Sequence, residues 1–173
     1  MQPDEGQLIH ISLIGSAGVG KSSICKRYIF DSYSEGKSQE IERGYRHLKL
    51  CDRSIRLFVN DMCNPNQLYS SKTYANTSYY RVDGIVLVYD ITAVSTFQDL
   101  EDWINIVMDL GGPKKNFVVL GNKCDQNAKF REVPEFCDKK NFAFFETSAK
   151  DSTSIESAIG CLIYEILQQN LNK

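Results

Sequence analysis

The chain has 173 residues, of which 42% are hydrophobic and 24% charged, enough for one domain with a substantial core and too few for two of ordinary size. Its 22 acidic and 20 basic residues leave a formal charge of -2, which excludes an electrostatic nucleic-acid binder. The six cysteines (Cys25, Cys51, Cys63, Cys124, Cys137 and Cys161) form no C-x-x-C pair and none lies at metal-ligand spacing from a histidine, so reduced thiols in a cytoplasmic protein are expected.

Strand-like and helix-like runs alternate along the chain, with no repeat, linker or low-complexity tract. Residues 1–7 are polar and carry no signal-peptide pattern. Residues 8–14 (LIHISLI) form an apolar run too short to span a membrane and read as a buried strand. Residues 21–30 predict a helix, and the polar stretch 32–43 a loop. Residues 45–50 and 55–60 flank Cys51-Asp-Arg-Ser54 and predict a hairpin. Residues 61–74 are irregular, and 84–90 (GIVLVYD) predict a second buried strand. Ser95-x-x-Gln98 reads as a capping box before a helix with Phe97, Leu100, Ile104 and Val107 on one face, stopped by Gly111-Gly-Pro113. Residues 116–121 and 142–146 predict two more strands. Thr153-x-x-Glu156 reads as a capping box for a last helix with Ile155, Ile159, Leu162 and Ile166 on its inner face. His10 and His47 stand in strand-like runs and read as structural or surface residues. The alternation implies an α/β fold with a mostly parallel sheet, helices on both faces and a ligand at the carboxyl ends of the strands.

The motifs that carry chemistry all follow predicted strands. Gly15-x-x-x-x-Gly20-Lys21-Ser22, in the run GSAGVGKSS, matches the P-loop pattern. Glycines let the backbone aim several N–H groups at one point, and the helix that starts there adds the positive end of its dipole. The expected phosphate site is Gly15, Ala17, Gly18, Val19, Gly20, Lys21, Ser22 and Ser23, with Lys21 facing the β and γ phosphates and Ser22 offering a hydroxyl to Mg²⁺. This loop alone fits kinases, ATPases and GTPases alike. Asn122-Lys-Cys-Asp125 narrows the choice, because a carboxylate can accept from the N1–H and exocyclic amine of guanine, a donor pair adenine lacks. The Lys123 stem can cover the base plane, and backbone N–H groups in Glu146-Thr-Ser-Ala-Lys150 can meet the guanine O6.

With these motifs in this order the chain resembles the Ras-like small GTPases over nearly its whole length, from residue 8 to about 167, and within them the Rab branch. Tyr79-Tyr80-Arg81, the run IVLVYDIT at 85–92, Phe97 and Trp103 carry the Rab likeness. The resemblance implies the P-loop NTPase (small G protein) fold with a six-stranded sheet, in a single G domain over 1–173. It implies GTP/GDP and Mg²⁺ as ligands, with Ser22 and Asp61 toward the metal. It implies a guanine pocket of Tyr33, Asn122, Lys123, Asp125, Ser148, Ala149 and Lys150, and effector and exchange-factor proteins meeting segments 34–47 and 61–81. Such proteins organise vesicle traffic from the cytosolic face of membranes, where prenylated C-terminal cysteines attach them. The chain ends QQNLNK, so membrane attachment is expected only through a removed tail or a partner, and the location is cytoplasmic or peripheral on that face.

The sequence departs from the family where the γ-phosphate is sensed. Glu40 takes the place of the threonine that closes over Mg²⁺, with Ile41 and Tyr45 in register beside it. It either brings a carboxylate to the site or simply faces solvent. Where the family reads Asp-Thr-Ala-Gly-Gln, this chain reads Asp61-Met-Cys-Asn-Pro65. Asn64 replaces the glycine, and Pro65, without N–H or side-chain polar group, replaces the glutamine that orients water. Ala17 adds a methyl group where the family's glutamine or an incoming arginine finger must fit, and Asn60 replaces an effector-facing aromatic. The loop is longer than in typical Rabs, which leaves Gln67 or Asn66 as the candidate catalytic replacement. Binding parts survive while parts that act only in the transition state are altered, which implies slow or lost hydrolysis. Three readings stay open: a slow switch, a scaffold that holds nucleotide structurally, and a small-molecule kinase. The guanine motif argues against the last.

Overall fold

The computed structural model describes residues 6–34, 43–50, 52–61, 82–109, 116–127 and 133–171. The readings at Glu40, Ile41, Cys51, Cys63, Asn64, Pro65, Asn66, Gln67, 79–81 and 111–113 lie outside these residues. Six strands form one sheet: β1 (Gln7–Ile14), β2 (Arg43–Leu50), β3 (Arg53–Asp61), β4 (Gly84–Asp90), β5 (Phe117–Asn122) and β6 (Ala143–Glu146), in the order β2-β3-β1-β4-β5-β6. The β2–β3 hairpin is antiparallel and every other pairing is parallel.

Period-two geometry assigns strand residues to two cores. Val86 and Val88 of β4 and Val118 and Leu120 of β5 join Ile9, Ile11 and Leu13 on one face. Ile85, Leu87, Tyr89, Phe117 and Val119 pack on the other. All residues of β4 and β5 are buried, as expected for inner parallel strands covered on both sides. The first face is closed by α1 (Lys21–Phe30) and α5 (Ile155–Leu171), through Ile24, Tyr28, Ile159, Leu162 and Ile166. The second is closed by α3 (Leu100–Asp109) and α4 (Val133–Lys140), through Leu100, Trp103, Val107 and Cys137. A short helix, α2 (Val94–Gln98), leads into α3. The expected six-stranded, mostly parallel sheet with helices on both faces is therefore present.

Two local expectations are overturned. The Ser95 capping box does not form: α2 starts at Val94 with Ala93 as its cap residue and no side-chain cap bond. Thr96, inside the helix, ties it to the end of β4 instead, its hydroxyl accepting from the Asp90 N–H at 2.9 Å and donating to the Ala93 carbonyl at 2.7 Å. The Thr153 box fails because α5 starts at Ile155, two residues beyond the expected cap, and Glu156 reaches across to pair with Arg46 on β2. The sequence offered no reading for α4. It is eight residues long and buries only Val133 and Cys137, one turn apart, which leaves little periodicity to detect. Both histidines behave as read: the His10 ring packs on Phe58, with centroids 5.3 Å apart, and His47 is exposed. Burial first, then Asp138, raises the Cys137 thiol to about 11, so it stays protonated and inert.

Gly84 lies under α5, where an added Cβ would come within 3.1 Å of Leu162 Cδ1. Leu162 is fully buried at that contact. Leu162→Ala should open a cavity and cost about 3 kcal/mol, read as a lower urea midpoint with an unchanged slope.

Candidate nucleotide-binding site

The carboxyl ends of β1, β4, β5 and β6 bring four loops together. After β1 the chain enters the glycine-rich turn, residues 15–20. Gly15 has φ +154° and a Cβ there would lie 2.0 Å from the Val88 carbonyl oxygen. Gly20 has φ +97° and a Cβ there would strike the Asn122 amide at 2.3 Å. Both contacts forbid a side chain. The turn ends at Lys21, where α1 begins, so its amides sit at the helix N-terminus. Lys21 is buried and folds back, donating to the Gly15 and Ser16 carbonyls at 2.9 and 3.0 Å. Ala17 and Gly18 are exposed at the tip, and Val19 is buried beneath it. Ser16 Oγ donates to Asp99 at 2.5 Å and accepts from the Trp103 indole at 3.4 Å, tying the turn to α3.

Ser22 is the second residue of α1, and Asp61 is the last of β3. The Ser22 hydroxyl donates directly to the Asp61 carboxylate. β1 and β3 run parallel and pair Leu13 with Asp61, which carries Asp61 to the same end of the sheet as the turn. A hydroxyl and a carboxylate are hard oxygen donors suited to Mg²⁺, so the residues present fit that ion. No cluster of three or more His, Cys, Asp or Glu residues able to hold a metal occurs among the described residues.

Residues 122–125 and 148–150 meet beside the turn. A cavity of about 240 Å³ opens there, lined by Gly20, Ser23, Tyr33, Asn122, Lys123, Asp125, Gln126, Ala149 and Lys150. Asn122 is 2% exposed and faces the protein: its amide donates to the Val19 carbonyl at 2.9 Å and accepts from the Ala149 N–H at 3.3 Å. It therefore joins the loops around the cavity. Lys123 adopts a left-handed conformation, φ 69°, that few lysines take. Backbone bonds from Thr147 to Gly121 and from Cys124 to Thr147 surround it. Its ammonium pairs with Asp90 at the end of β4, which leaves the stem along the cavity wall. Burial opposes ionisation of Asp90, but hydrogen bonds from Lys123 and Thr92 outweigh it and hold the carboxyl below its ordinary 3.8. Asp125 is exposed toward the opening, and one of its oxygens accepts from the buried Ser148 hydroxyl at 2.7 Å. Ser148 Oγ also accepts from the Asp151 N–H at 3.1 Å, so Asp125 is held in place from behind.

Of the seventeen residues expected from sequence, Gln67 lies outside the described residues, and the others gather at this end of the sheet. Asp90 and Gln126 were not anticipated. Asp90 was detectable in principle, as an acid ending a fully apolar strand on the ligand side of an α/β sheet. Gln126 carries no such signal.

The profile of the Ras family matches residues 10–168. The chain belongs to the Ras family. Among Ras-family relatives, "Ras-related protein Rab-1A" of Dictyostelium discoideum is 34% identical over 173 residues, covering 96% of this chain and 84% of its own. "GTP-binding protein ypt1" of Schizosaccharomyces pombe is 32% identical over 165 residues, covering 91% and 79%. "Ras-related protein Rab-13" of Mesocricetus auratus is 33% identical over 167 residues, covering 92% and 80%. The small G protein form of the P-loop NTPase fold follows from this membership and from the observed sheet. Among the described residues of this Ras-family chain, no helix is long and apolar enough to cross a membrane.

The Lys123–Asp90 pair gives a test by pH. A folded-state pKa below the unfolded one stabilises the protein above the ordinary aspartate range, and that contribution is lost as pH falls through the depressed folded value. Asp90→Asn should therefore weaken the fold at neutral pH and flatten this part of the acid limb, measured by urea unfolding from pH 7 to pH 3.

Proposed function

We propose that this chain is a Rab-like, guanine nucleotide-binding protein, a single G domain over 1–173, that hydrolyses GTP slowly or not at all and acts in membrane traffic or partner recruitment. The observation that carries the reading is the joining of three sequence-distant loops around one cavity, with Asp125 held at its opening by Ser148. The relatives' names support it: one is called a GTP-binding protein and others Rab.

The residues divide the work as follows. Amides of residues 15–20 and the Lys21 ammonium receive the phosphates at the start of α1. Ser22 and Asp61 would hold Mg²⁺, whose charge offsets that of the β and γ phosphates. Tyr33 and the Lys123 stem border the base, and the Asp125 carboxylate accepts from guanine. The weak step is hydrolysis. Glu40, Asn64 and Pro65 offer no hydroxyl, no freely turning N–H and no side-chain amide where the family uses them. Gln67 remains the candidate to orient water. The scaffold reading rests on the same three positions, because bound nucleotide stabilises a fold whether or not it is cleaved. Effectors and exchange factors would meet 34–47 and 61–81.

Nucleotide released by denaturing freshly purified protein should be mainly GTP when resolved by ion exchange. Mainly GDP, with single-turnover hydrolysis at an ordinary family rate, would retire the slow-hydrolysis reading. For base choice, Asp125→Asn should shift preference from guanine toward xanthine nucleotides by more than about a hundredfold, measured by competition. An unchanged guanine affinity would remove Asp125 from the site.

A further inference from the structure

We infer that Arg27 is a positioning residue for the base pocket: its guanidinium clamps the loop at residues 149–150 and thereby sets how long a guanine nucleotide stays bound. The inference rests on the guanine-nucleotide reading above.

Arg27 lies in the second turn of α1, after the motif residues, with its side chain 16% exposed. Its fork reaches a segment more than a hundred residues away. Nε donates to the Ala149 carbonyl at 2.9 Å and Nη2 to the Lys150 carbonyl at 2.8 Å. The third nitrogen, Nη1, turns back to Asp31 at the end of the helix, at 3.4 Å to both its carbonyl and its carboxylate. The guanidinium carbon stands 5.8 Å from the centre of the Tyr33 ring, within cation–π range. Ala149, Lys150 and Tyr33 all line the cavity. One side chain thus fixes two neighbouring carbonyls of one wall and sits against another.

The rigidity matters because the clamp holds the two residues of the loop that line the cavity. The loop follows β6, a strand of four residues at the sheet edge. Its other described ties include the Thr147 backbone bonds to Gly121 and Cys124, the longer Ala149–Asn122 bond and the Ser148 bonds. A planar fork with two aimed donors holds consecutive carbonyls in a way that a single ammonium cannot. Removing it frees residues 149–150 to move away from the base edge, while the Lys21 bonds to the glycine-rich turn and the Ser148–Asp125 bond do not involve the guanidinium. The loss therefore falls on base contacts made by the loop and spares the phosphate contacts.

The test compares dissociation rates of two nucleotides carrying the same fluorescent ribose label: GDP, and the diphosphate of 2-aminopurine riboside, which lacks O6. In Arg27→Ala the GDP rate should rise about tenfold or more, and that of the analogue by less than about twofold. Arg27→Lys should give an intermediate rise for GDP and keeps the comparison available if the alanine variant does not fold. An equal rise for both nucleotides assigns Arg27 a general structural role and overturns the inference, as does an unchanged GDP rate. A wild-type protein that retains neither nucleotide overturns the guanine reading itself, and the inference with it.

Discussion

The side-chain amide of Asn122 joins the glycine-rich turn to the loop after β6, and the geometry of the site depends on that junction. Its amide nitrogen holds the Val19 carbonyl and its oxygen receives the Ala149 N–H. With Asn122 2% exposed, water cannot substitute for either bond, and a residue without both a donor and an acceptor would leave a buried backbone group unpaired. The close approach also explains Gly20. The amide occupies the space where any Cβ would stand, so the glycine and the asparagine constrain each other across a hundred residues of chain.

Around this junction the protein uses charge sparingly. Lys123 is neutralised by Asp90, and Arg27 is absorbed by carbonyls and Asp31. The site thus gains stiffness from partly buried, hydrogen-bonded ions whose partners are also protein groups. Such arrangements give little net stability, because desolvation offsets attraction. Their return is geometric: each fixes a loop relative to a strand end.

Much of this was legible in the sequence, for reasons that differ by element. The buried strands β4 and β5 were plain because burial on both faces demands unbroken apolar runs. The glycine-rich turn was plain because its backbone tolerates few other residues. What stayed hidden depends on distance. A lone arginine within α1 reads as part of a solvated helix face, and only the fold reveals that the facing surface is a row of carbonyls from residues 149–150. The capping boxes failed because other bonds won locally or across the fold: Thr96 bonds to Asp90 and Ala93 in the same stretch of chain, and Glu156 pairs with Arg46, more than a hundred residues away. Local propensity loses where another bond, near or far in sequence, is stronger.

The position of β1 has a consequence for how the chain assembles as it is made. β1 is first in sequence but lies in the middle of the sheet, between β3 and β4. The β2–β3 hairpin closes locally and is a quick contact to form, whereas β1 acquires its second flank only when β4 exists. An emerging chain therefore holds β1 with one open edge until residues near 90 have left the ribosome, and the glycine-rich turn gains its packing on Val88, Asp99 and Asn122 only afterwards. During that interval the run LIHISLI is exposed to other partners, so this strand is open to misassociation during synthesis.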